Sequence, residues 1–255
     1  MTTADPTATR PASATGKRLL GVEEARATIL SAVAPPDPSA AAPIALEQAA
    51  GRVLATDVVA ALSMPRWPNS AMDGYALRLG DVGEGGLPVS QRVAAGTAPA
   101  PLAAGTAARI FTGAPVPEGA DTIVMQEHCR VDGDRVFVEK TPEPGVNIRP
   151  AAEDFTDGEP VLAAGTHLRP QHIALAASAG AASVHVQPRM QIALMITGDE
   201  LVPAGQALGD GQIHESNGHM LAALGAQLGA EIQAIHTVAD DADATRETLA
   251  RAAAN

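Results

Sequence analysis

The sequence predicts an α/β multidomain chain in which a β-rich, barrel-like region precedes the first half of a doubly wound α/β domain. Three observations predict it. Residues 75–140 hold short β-type runs separated by Gly/Pro punctuation, with no helical periodicity. Residues 191–255 switch to a strand–loop–helix–strand–helix order, the opening of a parallel sheet. The chain has 255 residues, 46% of them hydrophobic, enough for more than one packed core.

Composition narrows the function. A net charge of −12, from 29 acidic and 17 basic residues, excludes a general nucleic-acid partner, which needs a basic footprint. The five aromatics, Trp67, Tyr75, Phe111, Phe137 and Phe155, are too few for a base-stacking platform. Fifteen of the 17 basic residues are arginines, whose planar fork suits oxyanions, although a GC-rich genome produces the same ratio. The single cysteine, Cys129, excludes an internal disulfide. No run of 18 apolar residues occurs, which predicts no membrane span. A reducing cytoplasm is the predicted location.

Residues 1–17, rich in Thr, Ala, Pro and Ser, read as a disordered tail and not a signal peptide. Residues 22–33 carry apolar positions at helical spacing and stop before Pro35-Pro36. Residues 44–50 predict a short helix closed by Gly51, and 52–60 a strand. Pro65 and Pro68 make 64–70 a rigid extended loop. Strands follow over 89–94, 107–111, 121–129 and 135–140, the last two joined by a hairpin turn at Asp132-Gly133-Asp134. Residues 158–168 predict a second hairpin around Ala163-Ala164-Gly165. A helix runs from Pro170 through Ala179, with Gly180 as its C-terminal cap. After a strand over 183–186, residues 191–196 read as a strand buried on both faces. Ser216 caps a helix to about Leu228 that Gly229 closes, residues 232–238 form the next strand, and a last helix starts near Ala242. Two parallel strands are too few for a stable sheet, so this pattern predicts more chain after Asn255.

Four places carry possible chemistry. In Ser70-Ala71-Met72-Asp73-Gly74-Tyr75-Ala76, Asp73 can orient a metal or hydroxyl and Gly74 permits close approach of a ligand; a plain Asp-Gly turn is the competing reading. Thr112-Gly113 offers a hydroxyl and backbone N–H groups as a modest oxyanion cradle, or is a plain turn. Arg149 near Glu153 and Asp154 is either an anion clamp beside a metal-binding acid or a surface ion pair. Thr197-Gly198-Asp199-Glu200 and Asp240-Asp241 leave the carboxyl ends of the two parallel strands, where open α/β sheets bind ligands. Their carboxylates either hold Mg²⁺ or cap helices. The seven histidines show no metal-ligand spacing, and no phosphate loop or serine-hydrolase elbow is present.

Taken in order, these segments resemble the molybdopterin molybdotransferase family (MoeA-like, related to the gephyrin E domain). The run Asn69 to Ala76, Phe111-Thr112-Gly113-Ala114-Pro115, Asn147-Ile148-Arg149 with Glu153-Asp154-Phe155, and Thr197-Gly198-Asp199-Glu200-Leu201 carry the resemblance. Gly209-Asp210-Gly211-Gln212-Ile213 to Ser216-Asn217 and Asp240-Asp241 complete it. It covers the chain from about Arg18 onward.

The resemblance implies a discontinuous linker domain over 18–64 and 152–188, a β-rich domain inserted over 65–151, and a partial molybdopterin-binding domain over 189–255. It implies Mg²⁺-dependent insertion of molybdate into adenylylated molybdopterin with release of AMP, in a homodimer whose cleft lies between subunits. Asp73, Thr112, Arg149, Asp154, Glu200 and Asp240 match residues the family uses in catalysis. Glu200, Asp240 and Asp154 would hold Mg²⁺. Arg149 would steer molybdate or phosphate, and Asp73 and Thr112 would line the pterin-phosphate cleft. Ser70, Met72, Gly74, Thr197, Gly198, Asp199, Ser216 and Asn217 would contact the pterin ligand. Two alternatives are an adenylyltransferase-like enzyme, which lacks the β-rich region, and a non-catalytic molybdopterin-binding scaffold. Pro150-Ala151-Ala152 replaces the arginines and glycine that often stand before Glu-Asp in the family, and the family's later glycine-rich phosphate cradle is expected after Asn255.

Overall fold

A computed structural model describes residues 20–33 and 37–253. The tail expected over 1–17 lies outside the described residues. The contacts divide the chain into two compact units, the first ending at Ala40. That unit holds helix α1 (Val22–Ala32), whose Glu23 and Glu24 occupy the first turn, where the helix dipole favours carboxylates.

The second unit, Ala41–Asn255, carries the rest. It begins with strands β1 (Ala42–Ala45) and β2 (Val58–Val59). The β-rich stretch follows as β3 (Asn69–Ser70), β4 (Gly74–Leu77), β5 (Leu87–Val93), β6 (Ala107–Ile110), β7 (Thr122–Met125), β8 (Cys129–Asp132), β9 (Arg135–Val138) and β10 (Ile148–Arg149). Then come β11 (Pro160–Leu162), helix α2 (Pro170–Ser178), β12 (Ser183–Val186), β13 (Gln191–Thr197), β14 (Leu201–Val202) and β15 (Ile213–His214). Helix α3 (Asn217–Gln227), β16 (Glu231–Val238) and helix α4 (Ala242–Ala253) close the described chain.

The β-rich stretch builds a six-stranded sheet in the order β7-β4-β6-β5-β9-β8. Its two outermost strands, β7 and β8, are consecutive in the chain and joined only by the 3-10 turn Gln126–His128, so the sheet curls back on itself. The hairpin read at Asp132-Gly133-Asp134 is present: β8 and β9 pair antiparallel, and Gly133 takes φ 61°. Alternation along the strands puts apolar side chains on both faces. Tyr75, Leu77, Ala107, Val124 and Val136 form one cluster, and Ala76, Val93, Ala108, Ile110 and Ile123 the other.

A separate cluster joins chain ends that are far apart in sequence. Leu46, Leu54, Val58, Leu162, Leu168, Ala176 and Val186 pack together under α2. β1 pairs with β12 and β2 with β11, both antiparallel. Where the chain passes into and out of the β-rich stretch, its two strands run side by side: Met64 bridges Phe155, and Ala152 N–H donates to the Pro65 carbonyl at 2.8 Å.

Several local expectations are corrected here. The helix expected over 44–50 is a strand, β1, followed by one 3-10 turn at Leu46–Gln48, because Pro43 and Ile44 are held extended against β12. The strand expected over 52–60 is broken into bridges at Val53 and Leu54 and the two-residue β2. The turn at Ala163–Gly165 forms, with Gly165 at φ 82°, but no hairpin does: β11 pairs with β2 and His167 with Val53. Distant partners outcompete the local return in each case.

The last segment is a β-α-β-α unit, with β13 and β16 parallel and α3 between them. Its strands are not buried on both faces. Both alternate exposed and half-buried positions along most of their length, since each has one strand neighbour among the described residues. Gly225 of α3 lets the helix close on β16, as a Cβ there would lie 2.9 Å from Ile232 Cδ1. Burial pushes the Cys129 thiol up to about 11, so it stays protonated near neutral pH. No helix among the described residues is long and apolar enough to cross a membrane.

Candidate functional site

The structure brings Asp73 and Thr112 together across 39 residues of sequence. Asp73 Oδ1 accepts hydrogen bonds from the Thr112 backbone N–H and from its hydroxyl, both at 2.8 Å. These two bonds hold the Asp73 carboxyl below its ordinary range, with a smaller contribution from the Arg109 charge. Gly113, at φ 80°, supplies the left-handed turn that exposes Thr112. Gly74 plays a different part from the ligand-approach role read from the sequence. It is buried, and a Cβ on it would lie 2.0 Å from the Val124 carbonyl oxygen, so the close approach is to β7 backbone.

Ser70 is also corrected from ligand contact to scaffold. Its side chain is 1% exposed, and its hydroxyl donates to the Met72 carbonyl. The Ser70 backbone N–H and C=O bond to Ala114 and Gly113, which ties the Asp73 loop to the Thr112 turn. Met72 is half-buried beside it.

Two residues that the sequence reading missed complete this edge. Arg109 donates to the carbonyls of Gly74 and Ile110 and to Gln126 Oε1, while its guanidinium stacks against Tyr75 and Phe111. The Gln126 backbone N–H donates to the Asp73 carbonyl. The available signal was register: with Tyr75 and Arg109 on paired strands, both side chains share a face. A groove of about 370 Å³, lined by Trp67, Thr97, Pro99 and Pro115 among others, opens beside the same turn.

Arg149 takes the ion-pair reading. Its Nε donates to Glu153 and its Nη2 to Asp154 at 2.7 Å, and both acids stabilise its charge. The side chains are about two-fifths exposed, so the bonds order the loop more than they stabilise the fold. Ala152 holds a left-handed φ of 60°. An L-residue pays about 1–2 kcal/mol there, part of which glycine's greater unfolded-state freedom offsets. Ala152→Gly is therefore expected to stabilise by about 1 kcal/mol and raise the melting temperature by about 2–4 °C, read by thermal unfolding. A lower melting temperature would refute the strain.

At the strand-end site, β13 and β16 deliver Asp199 and Asp240 side by side. Asp199 Oδ1 accepts from the Asp240 backbone N–H at 3.2 Å. Asp241 caps α4, its Oδ1 accepting from the N–H groups of Asp243 and Ala244. Glu200 and Asp240 stay exposed. Gly198 takes φ 155° in the turn after Thr197, a conformation L-residues rarely adopt, and packs close to the Glu200 and Leu201 side chains. Ser216 is corrected as a cap: its side chain makes no capping bond, and Glu215 Oε1 accepts from the Gly218 N–H instead. Ser216 and Asn217 remain exposed at the start of α3.

The predicted Mg²⁺ triad is not assembled within one chain. Among the described residues no three Asp, Glu, His or Cys side chains gather into a metal-binding group, and Asp154 is held by Arg149. Nor does any hydrogen bond or ion pair among the described residues join Asp73, Thr112 or Asp154 to Glu200 or Asp240.

Comparison with known proteins now places the chain. Residues 20–180 match the family described as MoeA N-terminal region (domain I and II), and residues 193–255 match one described as a probable molybdopterin binding domain. A molybdopterin molybdenumtransferase of Nostoc sp. is 44% identical over 212 residues, covering 80% of this chain and 49% of that protein. Molybdopterin molybdenumtransferase 2 of Mycobacterium tuberculosis is 43% identical, covering 78% of this chain and 51% of that protein. The chain thus spans about half the length of these curated relatives. In structure it is similar to a molybdopterin biosynthesis MoeA protein of Pyrococcus horikoshii, with TM-score 0.73 and 34% identity over 84% of this chain and 59% of that one. With well over half its length matched by the N-terminal region, the chain belongs to the MoeA family.

Proposed function

We propose that this protein acts in molybdenum cofactor biosynthesis as a cytoplasmic molybdopterin molybdotransferase, inserting molybdate into adenylylated molybdopterin with release of AMP. The observation that carries the proposal is the Asp73–Thr112 pair. Two segments that match the family's functional residues meet there in a hydrogen-bonded carboxylate–hydroxyl pair, with Asp73 half-buried and Thr112 exposed. The names of the relatives supply the substrate class.

In this reading Asp73 and Thr112 line the pterin-phosphate cleft, with Met72 behind them. Thr197, Gly198, Asp199, Ser216 and Asn217 shape the opposite wall. The discontinuous linker over 18–64 and 152–188, the insert over 65–151 and the pterin-binding segment over 189–255 are the domains we assign. We place the cleft between two copies of the chain in a homodimer, so that the Asp73–Thr112 edge of one faces the strand end of the other.

The strand-end residues fit Mg²⁺ by their chemistry. Glu200 and Asp240 are exposed carboxylates, hard oxygen donors, and Mg²⁺ needs only one or two of them when a substrate phosphate and water fill its other positions. When bound it would neutralise phosphate charge. Asp199 acts on the chain itself, fixing the Asp240 backbone. Arg149, paired with Glu153 and Asp154, orders the loop beside Asn69.

The test is turnover by the full-length protein, supplied with adenylylated molybdopterin, molybdate and Mg²⁺ and assayed for AMP and finished cofactor. Glu200→Gln is expected to lower turnover about 100-fold while leaving thermal unfolding unchanged, since Glu200 is exposed. A folded full-length protein that forms no cofactor overturns the proposal. Unchanged turnover in Glu200→Gln overturns the metal assignment alone.

A further inference from the structure

Two arginines stand directly opposite each other on neighbouring strands of the curled sheet. Arg92 on β5 stands opposite Arg109 on the parallel strand β6, and Tyr75 stands opposite Arg109 on the other side. The bulge between Val89 and Gln91 shifts the alternation of β5 and turns Arg92 to the face of Arg109. The guanidinium carbons of Arg92 and Arg109 lie 4.6 and 4.5 Å from the centroid of the same ring, Phe111, next to Thr112 in sequence. Like charges directly opposite on neighbouring strands destabilise a sheet.

The two guanidiniums differ in what their donors do. Arg109 is occupied by the Gly74 and Ile110 carbonyls and by Gln126. Arg92 is exposed and has no hydrogen-bond or ion-pair partner among the described residues; its guanidinium rests on the Phe111 ring. Arg149, the guanidinium that the sequence singles out for anions, is closed by Glu153 and Asp154. Arg92 thus has an open fork, as does Arg66 stacked on Trp67, but of the two only Arg92 shares its ring with Arg109 next to Thr112.

We propose that Arg92 is the anion-binding arm of the Asp73–Thr112 edge and takes a tetrahedral oxyanion, either free or as a phosphoester. The inference rests on the reading of that edge as part of the substrate cleft. Stacking on Phe111 fixes the plane of the fork, which suits bidentate contact with an oxyanion. A dianion there cancels the repulsion between Arg92 and Arg109.

The experiment uses full-length wild-type protein, Arg92→Ala and Arg92→Lys. Each is titrated calorimetrically with sodium molybdate, inorganic phosphate and AMP, and melted with and without each anion. Wild type is expected to bind, Arg92→Ala at least 10-fold more weakly, and Arg92→Lys in between. Binding of molybdate and phosphate identifies the free oxyanion, and binding of AMP alone the phosphoester. Without anion, Arg92→Ala is expected to melt at or above the wild-type temperature, because the like-charge opposition is gone; a packing role would lower it. The proposal is overturned if none of the three anions binds wild type, if Arg92→Ala binds as wild type does, or if it melts lower without anion. A full-length protein that binds oxyanion through Arg92 but forms no cofactor overturns the proposed activity and leaves this site standing.

Discussion

Gly74→Ala is expected to destabilise the protein by about 3 kcal/mol or more, a fall of about 6–12 °C in melting temperature. Gly74 is buried in β4, between β6 and β7, and its φ is not the issue. The added Cβ would sit 2.0 Å from the Val124 carbonyl oxygen and 2.8 Å from its carbon. Both atoms are backbone, so no rotamer change relieves the clash. Either β4 moves away from β7 or the ladder breaks, and in both cases Asp73 is carried off its bonds to Thr112. Urea and thermal unfolding of the variant beside Gly113→Ala provide the check. Gly113 has open space around it and pays only for its left-handed φ of 80°. If Gly74→Ala proves the milder of the two, steric contact with β7 is not what requires glycine.

Replacing Asp73 tests charge apart from turn geometry. An asparagine keeps an Oδ1 that accepts from the Thr112 N–H and hydroxyl, while an alanine loses both bonds. Asp73→Asn in the full-length protein is expected to fold normally and to form cofactor about 100-fold more slowly, and Asp73→Ala to lose activity and some stability as well. The pH dependence follows from the direction of the shift. Thr112 holds the Asp73 carboxyl below its ordinary value of 3.8, so the group's stabilising contribution is complete above that value. It disappears as pH falls through the lowered value. Asp73→Asn should therefore have a flatter acid limb of unfolding than wild type. Full turnover in Asp73→Asn would show that the carboxylate serves the Thr112 turn and not the substrate.

The curled sheet was legible because its signals are local. The Asp132-Gly133-Asp134 turn, the β-branched runs and the Gly/Pro breaks between them depend on neighbouring residues. The β-α-β-α order after Gln191 was legible for the same reason, as was the helix opened by Pro170 and followed by Gly180 at φ 92°. Where partners came from far along the chain, local reading failed. Residues 44–50 looked helical until β12, about 140 residues away, is seen to hold β1 extended. The Gly165 turn suggested a hairpin, yet β11 takes β2 as its partner. Burial of β13 was overestimated because an apolar run records hydrophobicity, not the number of neighbouring strands.

The same division runs through the site. The candidate residues, Asp73, Thr112, Arg149, Asp154, Glu200 and Asp240, stand out in one dimension as carboxylates, a hydroxyl and an arginine beside turns and strand ends. Which of them are free to act depends on three-dimensional contacts. Asp73 finds Thr112, and Asp154 is taken up by Arg149. Asp241 becomes a helix cap while Asp240 stays exposed. Gly74 yields to a carbonyl of β7, and Arg92 is turned beside Arg109 by a bulge of β5. A side chain's chemistry belongs to its residue type, but its availability depends on hydrogen bonds and strand registers set by residues tens of positions away, so only the folded chain decides it.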